Sequence, residues 1–186
     1  FVSPTHGVPQ ILEALELAAE SGLSVPLVYN SGGYDAMETL KLLDGIFDIY
    51  MPDMKYSNEQ NAQRFSGIDE YHQINRAAVK EMHRQVGDLQ LDADGVAVRG
   101  LLVRHLVLPD GLAGTAEVCC FLSREISIDT YLNVMAQYRP CYRAYAVPEL
   151  ARSISRKEFV EAIETARSYG LHRLDKIEPR PFAGVI

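Results

Sequence analysis

Much that would point quickly to a function is missing from this sequence. No apolar run approaches the ~20 residues that a membrane-spanning helix needs, and no charged-then-apolar leader opens the chain. Basic residues are in the minority, 18 Lys and Arg against 25 Asp and Glu, for a formal charge of −7. Gripping a phosphate backbone requires clustered cations that displace counterions, so no nucleic acid and no membrane is expected as a partner. Cysteine is scarce and odd in number: Cys119 and Cys120 adjoin in a helical pattern and Cys141 lies in a loop, which is no disulfide framework. A reducing compartment fits, and the chain is expected to be soluble and cytoplasmic.

The common chemistry-bearing motifs are absent as well. There is no Gly-x-Gly-x-x-Gly, no P-loop and no Gly-x-Ser-x-Gly elbow, so nucleotide binding or serine chemistry by those devices is excluded. The histidines at 6, 72, 83, 105 and 172 include no i, i+4 pair with a carboxylate between, which leaves a helix-borne zinc site without support. Cys119 and Cys120 on a helix point about 100° apart and cannot jointly face one metal; both read as core. Asp92-Ala93-Asp94-Gly95 lacks the later ligands of a calcium loop and reads as a hairpin turn. No metal ligand is expected from these residues.

What is present is a regular alternation. At 186 residues and 47% hydrophobic content the chain supports one core of ordinary size. Strand character at 1–3, 25–29, 46–51, 101–108 and 131–136 alternates with helical spacing at 9–20, around 37–43, at 58–65, 69–86, 116–125 and 156–169, with a short segment at 171–174. Residues 89–91 and 96–99 flank the Asp-Gly turn as an inserted β-hairpin, about 89–99. Five strands joined by helical crossovers imply an α/β fold with a parallel sheet covered on both faces, either an open doubly wound sheet or a partial barrel. The opening Phe1-Val2-Ser3 reads as the end of a strand, as in a fragment of a longer polypeptide.

Polar groups recur where strands end: Ser3-Pro4-Thr5-His6, Asn30-Ser31-Gly32-Gly33, Asp53-Met54-Lys55, the Arg104-His105 region and Gln137-Tyr138-Arg139. Parallel α/β folds collect substrate-facing groups at such ends. Asp53 and Lys55 are the most informative, because residues i and i+2 of a strand share a face. An acid and an amine therefore project together just as the apolar run 46–51 stops. Read without further context, Lys55 is also placed to act as a Schiff-base lysine tuned by Asp53, and a stable, non-catalytic interaction module is a third reading.

The stretches Phe1-Val2-Ser3-Pro4-Thr5-His6, Leu27-Val28-Tyr29-Asn30-Ser31-Gly32-Gly33-Tyr34, Asp48-Ile49-Tyr50-Met51-Pro52-Asp53-Met54-Lys55-Tyr56, Val103-Arg104-His105-Leu106-Val107-Leu108-Pro109 and Gln137-Tyr138-Arg139-Pro140 carry a resemblance. The chain resembles radical S-adenosylmethionine (radical SAM) enzymes of the pyruvate formate-lyase activating type, over residues 1 to about 175. The resemblance implies a partial (β/α)6 TIM-like barrel holding strands two to six in residues 1–175, with 176–186 as a tail. It implies S-adenosylmethionine and a [4Fe–4S] cluster as cofactors of the parent protein, the cluster held by a C-x-x-x-C-x-x-C loop after the first strand. None of the three cysteines has that spacing, so the fragment alone would be inactive.

The parent would reductively cleave S-adenosylmethionine to a 5′-deoxyadenosyl radical that abstracts hydrogen. Its implied partners are a protein substrate such as a glycyl radical enzyme and an electron donor such as flavodoxin or ferredoxin. By position, Ser3, Thr5 and His6 fall in the segment that contacts the cofactor's amino group, although Pro4 and His6 depart from the family's Ser-Gly-Gly-Glu. Asn30 and Ser31 follow the next strand near the cofactor. Asp53 and Lys55 match an Asp-x-Lys that reaches the ribose and carboxylate, Arg104 lines the cavity, and Tyr138 or Arg139 stands near a position that holds a cofactor-contacting His.

Overall fold

Punctuation in the sequence sets the helix boundaries in the computed structural model, which describes residues 1–175. A short 3-10 turn, Pro4–Gly7, leads into α1 (Val8–Glu20), which carries Pro9 in its first turn and ends at Ser21. α2 (Met37–Leu42) is a brief crossover. Asn58 caps α3 (Glu59–Ser66) by accepting from the Asn61 amide at 2.9 Å, and Gly67 closes it in the left-handed region. α4 (Tyr71–Val86) is the longest helix, α5 (Thr115–Phe121) continues as a π turn at Leu122–Ile126, and α6 (Arg156–Ser168) opens with a reciprocal Ser155/Glu158 capping box.

The strands are β1 (Val28–Ser31), β2 (Ile49–Pro52), β3 (Gln90–Leu91), β4 (Ala97–Leu106) and β5 (Tyr131–Met135). β1, β2, β4 and β5 lie side by side in parallel, in the order of the chain, and β3 pairs antiparallel with the start of β4. Single parallel bridges extend the sheet at both sides, Val2 to Asn30 and Leu132 to Leu174. Spatial order that follows sequence order is winding in one direction. It is compatible with a partial α/β barrel and not with the doubly wound alternative, whose strand order reverses.

The register separates two faces. Tyr29, Tyr50, Leu101, Val103 and Leu132 are fully buried against Leu40 of α2 and Leu43 just after it, Ala78, Val79 and Met82 of α4, Val118 of α5 and Ile163 of α6. On the other face Met51, Leu102, Leu106 and Met135 are half-buried. The expectation of two covered faces is therefore corrected: among the described residues helices cover one, and the second stays open to a ligand or another layer. No helix among the described residues is long and apolar enough to cross a membrane.

Local differences have physical causes. Residues 1–3 contribute a single bridge instead of a strand, because Ser3 turns into the left-handed region at φ 52°. β1 and β2 begin three residues later than their apolar runs predict. Pro26 has no amide to give to a ladder, and Ile46 is still held to the end of α2 through the Leu43 carbonyl. The expected hairpin exists, but its second arm runs unbroken into β4, so it is an extension of a core strand and not an insert. Its Asp92 side chain accepts from the Asp94 and Val96 amides at 2.9 and 2.8 Å, a self-capped turn in place of a calcium loop. The expected tail, 176–186, lies outside the described residues.

Candidate functional site

Asp53 sits one residue beyond β2 and pairs as an isolated parallel bridge with Arg104 of β4. That register puts both side chains on the open face. Arg104 donates to Asp53 Oδ1 from Nε at 2.8 Å and holds its Nη2 2.6 Å from the same oxygen as an ion pair, while the Lys55 ammonium contacts Oδ2. The Asp53 carboxylate is buried and so is bonded at both oxygens, as an interior charge must be. The Lys55 side chain is 46% exposed. An ammonium has three hydrogens and Asp53 takes one, so the rest are available to a ligand. Asn133 of β5 is the next residue in the same row, opposite Arg104.

The strip Asn133, Arg104, Asp53, Lys55 is thus a polar row across a face to which Met51, Leu102, Leu106 and Met135 contribute apolar groups. It offers a cation pair for an anionic group and an amide for a neutral one. Beside it, Tyr34 stacks on Tyr71 with ring planes 5° apart and centroids at 6.2 Å, and Tyr56 meets Tyr71 edge-on at 5.7 Å. Burial raises the Tyr71 hydroxyl above the ordinary phenol range, so it serves as a neutral hydrogen-bonding group.

The other expected residues divide between positions. Asn30 is half-buried and adjoins Met51 on the open face, while its main chain joins Phe1 and Ser3. Ser31 faces the other way and donates to Asp35 at 2.7 Å; Thr5 donates to the same carboxylate at 2.7 Å, and so does the Tyr29 hydroxyl at 3.0 Å. Ser31 and Thr5 therefore brace the strand-end loops around a buried acid. Ser3 and His6 are exposed and line a shallow depression with Gln10 and Ile11 of α1. Tyr138 is half-buried, donates to the Leu150 carbonyl at 2.8 Å, and has its hydroxyl raised by burial and then by the neighbouring Tyr56. Arg139 is exposed on the loop after β5.

Sequence reasoning passed over Asp35, Asn75, Tyr71 and Asn133. Asn133 carries a usable signal, a polar residue inside an apolar strand run. Asp35 and Asn75 carry none, because a polar residue in a loop or helix looks solvent-facing until its partners are known. A groove of 560 Å³ lined by Leu12, Leu15, Leu27 and Ile46 lies at the opposite, N-terminal end of the strands. Among the described residues no group of three or more His, Cys, Asp or Glu is placed to hold a metal ion.

The chain is 30% identical over 164 residues to the uncharacterized protein MJ0674 of Methanocaldococcus jannaschii, an alignment covering 88% of this chain and 44% of that relative. It thus spans less than half the length of the relative it matches. No family model matches the sequence.

Proposed function

We propose that this chain is the cofactor-orienting part of a radical S-adenosylmethionine enzyme of the pyruvate formate-lyase activating type, built as a partial (β/α)6 barrel and working in the cytoplasm. The observation that carries the reading is the in-register Asp53–Arg104 pair with Lys55 beside it, at the C-terminal end of a parallel sheet wound in one direction. The residues fit S-adenosylmethionine. Lys55 and Arg104 match its carboxylate, Asp53 can accept from ribose hydroxyls, and Met51, Leu102 and Leu106 give apolar contact for the rest. They do not fit a [4Fe–4S] cluster: Cys119 is buried in the core and Cys141 is exposed on the loop after β5. No step through a cluster is assigned to these residues.

Bound at this face and given one electron by a reductant held outside these residues, S-adenosylmethionine would break a carbon–sulfur bond, release methionine and supply a carbon-centred radical for hydrogen abstraction. The chain's own part is to bind, orient and exclude water. A glycyl radical protein as substrate, and flavodoxin or ferredoxin as electron donor, belong to the same proposal. The Schiff-base reading gains nothing from the geometry, since the Lys55 ammonium is paired with Asp53 and half exposed where a nucleophilic amine needs desolvation. Titration calorimetry with S-adenosylmethionine tests the proposal. Asp53→Asn and Lys55→Ala are each expected to weaken binding by about 10- to 100-fold without unfolding the protein. Wild-type affinity in both variants would remove the pair from the site, and no binding by the unmodified protein would remove the function.

A further inference from the structure

Between Asp53 and Lys55 lie two peptide units, and each is held at both ends. In the first, the Asp53 carbonyl accepts from Asn75 Nδ2 at 2.9 Å while the Met54 amide donates to the Arg104 carbonyl at 2.8 Å. In the second, the Met54 carbonyl is 2.8 Å from His105 Nδ1, and the Lys55 amide donates to the Tyr71 hydroxyl at 2.8 Å. A peptide is planar, so fixing its carbonyl and its amide fixes its orientation. With both planes fixed, the only soft angles between the two functional side chains are determined.

His105 is the least expected of these holders. It lies on β4 next to Arg104, fully buried, and its second nitrogen is 3.0 Å from Thr115 Oγ1 at the start of α5. A carbonyl can only accept, so Nδ1 carries the hydrogen and Nε2 is left to accept from the Thr115 hydroxyl. Burial lowers the ring below the ordinary histidine range, which keeps this neutral tautomer through neutral pH. We propose that His105 is a positioning residue for the ligand site, its Nδ1–H holding the Met54 carbonyl so that Asp53 and Lys55 project together on the open face. The proposal rests on the reading of that face as an S-adenosylmethionine site.

Two substitutions separate the two nitrogens. His105→Asn places an amide donor where Nδ1 stands and so keeps the grip on Met54, whereas His105→Gln reaches toward Thr115 and gives that grip up. Two readouts are taken: affinity for S-adenosylmethionine, and the nuclear magnetic resonance signal of Arg104 Nε–H, which reports its bond to Asp53. His105→Asn is expected to keep the Arg104 signal and bind within about threefold of the unmodified protein, while His105→Gln shifts the signal and weakens binding about tenfold. Equal losses in the two variants, tracking thermal stability, would overturn the proposal in favour of simple packing. If the unmodified protein binds no S-adenosylmethionine, the functional reading fails, and the Arg104 signal still decides about His105: an unchanged signal in His105→Gln overturns the positioning role. The tautomer is read in the unmodified protein by long-range nitrogen–proton correlation, where a hydrogen on Nε2 would overturn the proposal even if neither variant folds.

Discussion

Gly33 lies so close to the Asp53 carbonyl that a methyl group on its Cα would overlap both that oxygen and the Asn75 amide. Gly33 also has φ +72°, a left-handed conformation that side chains resist. Gly33→Ala is therefore expected to destabilise the protein by on the order of 2–4 kcal/mol, read by urea denaturation. The neighbouring Gly32 has open space around it, and Gly32→Ala should change stability by no more than about 0.5 kcal/mol.

A second prediction concerns acid. Glu81 of α4 accepts from Arg84 at 2.8 Å through both carboxylate oxygens and from Gln85 at 2.8 Å, which together hold it down to about 2, led by the Arg84 hydrogen bond. A carboxylate whose folded value lies below its ordinary 4.5 stabilises the fold fully above that value and loses the contribution as pH falls toward 2. Thermal melts between pH 5 and 2 should thus show a decline that Glu81→Gln makes shallower, with the variant less stable than the unmodified protein at pH 7.

The turn of the β3–β4 hairpin can be strained alone. Gly95 has φ +80° and nothing near it, so the cost of a side chain there is conformational and not steric. Gly95→Val is expected to cost about 1–2 kcal/mol while unfolding stays cooperative. Loss of a single cooperative transition in denaturant would show that the turn is part of the core.

Thiol chemistry should follow burial. Cys141 is exposed, Cys120 half-buried, and Cys119 is enclosed in the core with its thiol pushed up to about 12 by burial and then by the adjacent Cys120. Alkylation followed by mass mapping is expected to label Cys141 first, Cys120 slowly, and Cys119 only after unfolding.

The alternation of strands and helices was legible because each element announces itself locally: Asn58 and Gly67 bracket a helix, and the Asp94-Gly95 turn marks a hairpin. Strand starts were less legible, since an apolar run such as 46–51 includes residues still belonging to the preceding helix turn. Asp53 and Lys55 could be paired from their spacing alone. Arg104, 51 residues away, could be flagged but not joined to them, because register between strands is set by the packing of a whole face. Asn75 and His105 are harder still, because the main-chain carbonyls they hold leave no trace in residue type.

One carboxylate between two cations leaves the mouth of the site positive by a single charge, in a protein whose total is −7. For the proposed ligand, S-adenosylmethionine, which bears a sulfonium, an ammonium and a carboxylate, these two fields would act on different ends. The overall negative field would attract the cationic molecule from afar, over the ~10 Å that salt permits at 0.1 M. Close in, the local positive spot would select the carboxylate end to face Lys55 and Arg104. Capture and alignment would then have separate electrostatic origins: added salt should slow the first more than it disturbs the second, because Asp53 and Arg104 are largely withdrawn from solvent while Lys55 is half exposed.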